Sequence, residues 1–83
     1  MKKEEVFEKV RKIILDWLGK DIAVDVSMES NLKGDLGMDS LDILQIVFMI
    51  ENTFDIKVED EKLDTFVTVA DLVNEVMAKC NDN

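Results

Sequence analysis

Between Lys3 and Leu18 the apolar side chains fall at Val6, Phe7, Val10, Ile13, Ile14, Trp17 and Leu18. That spacing places them along one side of a 3.6-residue helix and leaves the other side to charged residues. A helix of this kind is stable only if its apolar stripe is buried against other parts of the chain, which has 83 residues. The stripe therefore calls for a bundle of packed elements. Gly19 follows and can take the left-handed conformation that ends a helix, with Lys20 next to it to face the negative end of the dipole. There is no proline, so the remaining boundaries must come from glycines and helix caps.

From Asp21 to Asp39 the pattern breaks into single apolar anchors, Ile22, Val24, Val26, Met28, Leu32 and Leu36. The alternation at Val24-Asp25-Val26 has no second strand to pair with. The reading is a long loop tied to the core by these anchors, and a loop of such length in a small domain often carries function. A second helix is expected from Ser40 to about Phe54, with Asp39 as N-cap and Asp42 in the first turn. A short helical turn follows around Asp60 to Asp64. The last helix starts at Thr68-Val69-Ala70-Asp71, a capping box with a shortened carboxylate, and its periodicity turns Val69, Leu72, Val73, Val76 and, at its end, Cys80 inward. The predicted fold is all-α: a small bundle of three main helices plus one short helix, with a long loop after the first. It is expected to be a single domain over 1–83, ordered over about 3–79 and frayed at 80–83. A chain of this size buries only roughly 60% of its unfolded surface, so the core is thin.

Charge narrows the partners. The chain carries a net charge of −9, with seven bases and seven acids up to Gly34 and twelve acids against three lysines thereafter. Such a field repels phosphate backbones and anionic headgroups and attracts proteins with basic patches. Nucleic acid and stable membrane association are not expected. No histidine is present, which removes the side chain most used for general acid–base work and for transition metals. Cys80 is the single cysteine and has no partner for a disulfide or zinc motif. No stretch has the spacing of an EF-hand loop, so no metal site is expected. Nothing approaches the roughly 20 apolar residues of a membrane span. A cytoplasmic monomer is the expectation.

The second helix is apolar on two sides. Ile43, Ile46, Val47, Ile50 and Phe54 share one arc, sufficient for a core face. Leu41, Leu44 and Phe48 lie on the other side with Gln45 and Asn52, as a docking stripe would. Ahead of that stripe, Ser40 stands where a glycine-bearing loop meets a helix N-terminus, a place where backbone amides and the dipole favour a phosphate. The plain alternative is that Asp39 and Ser40 only cap and start the helix.

The stretch Asp35-Leu36-Gly37-Met38-Asp39-Ser40-Leu41-Asp42 closely resembles the modification motif of acyl carrier proteins. The resemblance extends to Ser30-Asn31-Leu32, Phe54-Asp55, Val58, Asp60-Glu61 and the Thr68-Val69 helix start. It implies a non-catalytic carrier whose Ser40 receives 4′-phosphopantetheine from coenzyme A, with Asp39 and Leu41 read by the phosphopantetheinyl transferase. Acyl groups would then travel as thioesters on the arm to fatty-acid or related lipid biosynthesis enzymes. The partners it implies are acyl transferases, ketoacyl synthases and related enzymes with basic docking patches, meeting Asp42, Leu44, Phe48 and Glu51. An acyl chain would lie among Ile46, Ile50, Phe54, Val67 and Met77, residues that serve equally as ordinary core. A serine hydroxyl without a neighbouring base is a weak nucleophile, so the transferase must activate it. Gln45, Asn52 and Thr53 stand where acidic residues are common in the family, and Phe48 is bulkier than usual, which shifts docking toward apolar burial and specialised clients. A carrier of aminoacyl or polyketide cargo remains an alternative, as does an unmodified helical interaction module.

Overall fold

The apolar stripe of the N-terminal segment forms α1, Lys3–Leu18, in which Val6, Val10, Ile13 and Ile14 are buried. The computed structural model describes residues 2–19 and 25–80. The Lys2 N–H donates to Glu5 Oε1 at 3.1 Å across the first turn. At the other end Gly19, with φ at +97°, donates to the Leu15 carbonyl and closes the helix. Phe7 and Leu18 are half-buried, and Trp17 is 41% exposed. The anticipated roles of Lys20, Ile22 and Val24 fall outside the described residues, as does the tail beyond Cys80.

The connection to the second helix is an ordered loop laced to the start of the last one. Val26, Leu32, Leu36 and Met38 are buried, and Met28 packs half-buried against the core. Backbone bonds run from Leu32 N–H to the Val67 carbonyl at 2.9 Å and from Val69 and Ala70 N–H to the Ser30 and Met28 carbonyls. One isolated antiparallel bridge, Asn31 with Thr68, is the nearest thing to a sheet among the described residues. Asn31 Oδ1 accepts from Lys33 and Gly34 N–H, while Asn31 N–H donates to Asp35 Oδ2 at 2.7 Å. These bonds satisfy backbone groups that a buried loop would otherwise leave unpaired. Those that tie the loop to residues 67–70 are long-range and have no announcement in the sequence pattern.

Helix α2 spans Ser40–Phe54 and buries Ile43, Ile46, Val47, Ile50 and Phe54, the predicted core face. Asp55 ends it in the left-handed region, φ 56°, which aspartate tolerates better than most residues. A short 3-10 helix, Asp60–Thr65, buries none of its own residues. It is held to the last helix, α3 (Val69–Cys80), by the Lys62–Glu75 pair at 3.7 Å, and the preceding Glu59 is bonded to Lys79. That bond lowers the Glu59 pKa and raises that of Lys79. Asp71 Oδ2 accepts from Val67 and Thr68 N–H and Asp71 N–H meets Thr68 Oγ1, so the shortened capping box forms. The three α-helices pack on one another around a core that includes Ile14, Leu32, Ile46, Leu72 and Val76. Cys80, expected in the frayed tail, is the last residue of α3 and packs half-buried against this core.

Candidate functional site

Why α2 begins where it does follows from two carboxylates. Asp39, in extended backbone, accepts from Asp42 N–H at 2.9 Å through Oδ1, and Asp42 Oδ2 accepts from Asp39 N–H at 3.1 Å. This reciprocal pair satisfies amides that a helix start leaves open. Gly37, with φ at +70°, makes the turn that brings the chain there. Ser40 is therefore not the cap. It is the first helical residue, exposed, and its Oγ makes no hydrogen bond among the described residues. The Ser40 and Leu41 N–H groups also have no partner among them.

Two further serines sharpen the contrast. Ser30 is buried; its Oγ accepts from Ser27 N–H at 2.9 Å and lies 3.4 Å from the Asp25 carbonyl, to which it donates. Ser27 is half-buried, with its hydroxyl 3.3 Å from that of Ser30. Only these three serines occur in the chain, and Ser40 alone has a hydroxyl both exposed and uncommitted.

Beside Ser40 opens a cleft of about 260 Å³ lined by Lys33, Leu41, Ile43, Leu44, Leu63, Asp64 and Phe66. Its walls come from the loop before α2, from α2 and from the 3-10 helix with the residue after it. Leu63, Phe66 and Lys33 were not singled out from sequence. The Leu63-x-x-Phe66 spacing was an available signal, since residues three apart lie on one side of a 3-10 helix. Ile46 and Ile50 are core, and Met77 packs half-buried against it. Phe54 closes α2, about 21 Å along the axis from Ser40 at 1.5 Å per residue. Val67 is 52% exposed, and its carbonyl accepts from Leu32 N–H.

The second apolar stripe of α2 is on the surface, with Leu41 72% and Phe48 48% exposed and Leu44 half-buried. Glu51 Oε2 accepts from Val58 N–H at 2.7 Å and pins the chain after α2. Asp42 also has a tertiary partner, because Trp17 Nε1 donates to its Oδ1 at 3.1 Å. That bond joins α1 to the start of α2 across 25 positions and has no local sequence signal.

Hydrogen bonding to the ionised form, from the Asp39 backbone first and Trp17 second, holds the Asp42 pKa below its ordinary 3.8. A depressed folded pKa contributes stability that is present above the unfolded value and is lost as pH falls through the folded one. The Trp17→Phe variant is therefore expected to titrate Asp42 at a higher pH by carboxyl NMR. It should also lose less melting temperature than wild type between about pH 5 and about pH 3. Equal acid losses in the two proteins would show that the indole bond contributes nothing.

Comparison with known proteins agrees with this geometry. Residues 8–76 match the family described as the phosphopantetheine attachment site. The chain is 47% identical over 73 residues to the acyl carrier protein of Clostridium acetobutylicum, covering 88% of this chain and 94% of the relative. It is 37% identical to that of an Exiguobacterium species, covering 95% and 99%. Its backbone superposes on the crystal structure of the acyl carrier protein from Thermotoga maritima with a TM-score of 0.84, at 30% identity and over 99% of this chain and 94% of that one. With both sequence and backbone matched over most of their length, the chain belongs to the acyl carrier protein family, non-catalytic proteins that bear a 4′-phosphopantetheine arm and carry acyl groups on it.

Proposed function

We propose that Ser40 is the residue that takes the 4′-phosphopantetheine arm and that the protein delivers acyl groups to the enzymes of fatty-acid or related lipid biosynthesis. The observation that carries the assignment is the state of its hydroxyl: exposed and without a hydrogen-bond partner among the described residues, while the adjacent capping is done by Asp39 and Asp42. The surroundings fit the group. A phosphate on Oγ would lie at the positive end of α2 with the Ser40 and Leu41 amides open to it, and the cleft of about 260 Å³ begins at the same residue. When bound, the arm supplies a terminal thiol that holds acyl groups as thioesters. The residues of this chain hold it at one end, and the flexible tether keeps its cargo at high effective concentration near a docked partner.

Asp39 and Leu41 flank the hydroxyl and are placed to be read by the phosphopantetheinyl transferase. Leu41, Leu44 and Phe48 form the docking face, with Asp42 at its head; acyl transferases, ketoacyl synthases and related enzymes with basic patches are the partners that suit it. Burying the exposed part of Phe48 contributes at about 25 cal/mol per Å², so this face draws on apolar contact as well as on steering. A net charge of −9 keeps copies apart, which supports a monomer; we place it in the cytoplasm, as a single carrier domain over 1–83.

The test is an intact-mass measurement after incubation with coenzyme A and a broad-specificity phosphopantetheinyl transferase, followed by peptide mapping. The expected result is the gain of one phosphopantetheine, located on the peptide containing Ser40. No gain, or a gain mapped to Ser27 or Ser30, would overturn the assignment.

A further inference from the structure

The cleft beside Ser40 has one cationic wall residue, Lys33, set among apolar side chains and Asp64. Lys33 is exposed, and the ion pairs among the described residues, Arg11–Glu8, Lys62–Glu75, Lys79–Glu59 and Lys79–Glu75, do not include it. Its backbone is fixed: the N–H donates to Asn31 Oδ1 at 3.2 Å, and the carbonyl accepts from Gly37 N–H at 3.1 Å. The lysine stem thus rises from a rigid turn that leads directly into α2. In a chain of net charge −9, this lysine lines the cleft and has no ion-pair partner among the described residues.

We infer that Lys33 is a positioning residue for the arm, its ammonium pairing with the phosphodiester that joins the arm to Ser40; this rests on the Ser40 assignment above. A phosphodiester carries one full negative charge at neutral pH, and on Ser40 it enters a neighbourhood that already holds Asp39, Asp42 and Asp64. The open amides of α2 offer only partial charges. Lys33 supplies a whole one on the cleft side, so the pairing both offsets repulsion from the carboxylates and inclines the root of the arm toward the cleft rather than into solvent. Asp64 lines the same cleft and opposes a phosphate there, so the inclination depends on Lys33. Exposed ion pairs are weak individually and sensitive to salt, so the effect is a bias on the arm's orientation and not a lock.

The experiment is a thermodynamic cycle on apo and loaded protein for wild type, Lys33→Gln, Lys33→Arg and the distant control Lys57→Gln. Folding constants come from urea denaturation at low and high salt, and the 31P resonance of the arm is recorded alongside. In Lys33→Gln at low salt, loading should reduce the folding constant by roughly two- to fivefold relative to its effect on wild type. Lys33→Arg should behave as wild type, and the difference should shrink at high salt. The 31P resonance should move in Lys33→Gln and not in Lys57→Gln. Equal coupling in Lys33→Gln and Lys57→Gln would mean a general field effect and would overturn the pairing, as would no coupling at all. Failure of the Ser40 assignment is distinguishable, since it shows earlier as an absent or mislocated mass gain.

Discussion

Ser40→Ala is expected to stay at its unmodified mass when incubated with coenzyme A and a phosphopantetheinyl transferase, while folding as wild type does. The loss of loading should be complete, because no other serine presents a free hydroxyl: Ser30 is buried in a local bond network and Ser27 is tied to it. The fold should not notice. Ser40 Oγ supports no hydrogen bond among the described residues, the cap is carried by Asp39 and Asp42, and alanine is at least as good a helix former as serine at such a site. Surface substitutions of this kind change stability by about 0.5 kcal/mol or less. The pair of readouts, mass and melting temperature, thus separates chemistry from folding. A melting temperature that fell steeply would mean that the hydroxyl has a structural task after all, and loading that survived would remove Ser40 from its role.

Leu32→Ala is expected to remove a large fraction of the total stability. Leu32 lies in the loop, yet it is fully buried, and its backbone joins two regions, donating to the Val67 carbonyl and accepting from Met38 N–H at 3.0 Å. Truncating a buried leucine costs about 2–5 kcal/mol, the lost transfer energy plus the cavity left behind. At roughly 0.05–0.15 kcal/mol per residue a domain of this size holds only about 4–12 kcal/mol in all. With each kcal/mol worth about 4–8 °C in a domain of this size, the midpoint should fall by about 10 °C or more. Far-UV circular dichroism would measure it, with Val67→Ala, a substitution at a half-exposed site, as the near-neutral comparison. A drop no larger than that of Val67→Ala would mean that the loop is not part of the core. The same substitution should slow loading of Ser40, since Leu32 anchors the turn that delivers Gly37 to Asp39.

How far the fold could be read in advance depends on the distance over which each signal acts. The α1 stripe, the core face of α2 and the Thr68–Asp71 start of α3 are periodic or capping patterns contained within a turn or a few turns, and the structure has them where the sequence places them. Val67, an apolar residue at a junction between helices, has no periodicity to assign it a side, and only the structure leaves it half-exposed. At Glu51 a solvent-facing helix position says nothing of the Val58 amide that folds back to it.

The site divides along the same line. The sequence by itself determined that a serine would stand at the start of a helix, behind a glycine turn and ahead of an apolar stripe, and the motif around it pointed to a carrier. Backbone preference and capping act over about four residues, which a linear pattern records. The capping by Asp39 and Asp42, three residues apart, belongs to that local class. Only the tertiary structure decided that Trp17 reaches across to Asp42 and that Lys33, Leu44, Leu63 and Phe66 meet in one cleft. Those contacts join segments far apart in the chain, and they exist because packing the buried faces of three helices fixes where the loops between them must lie.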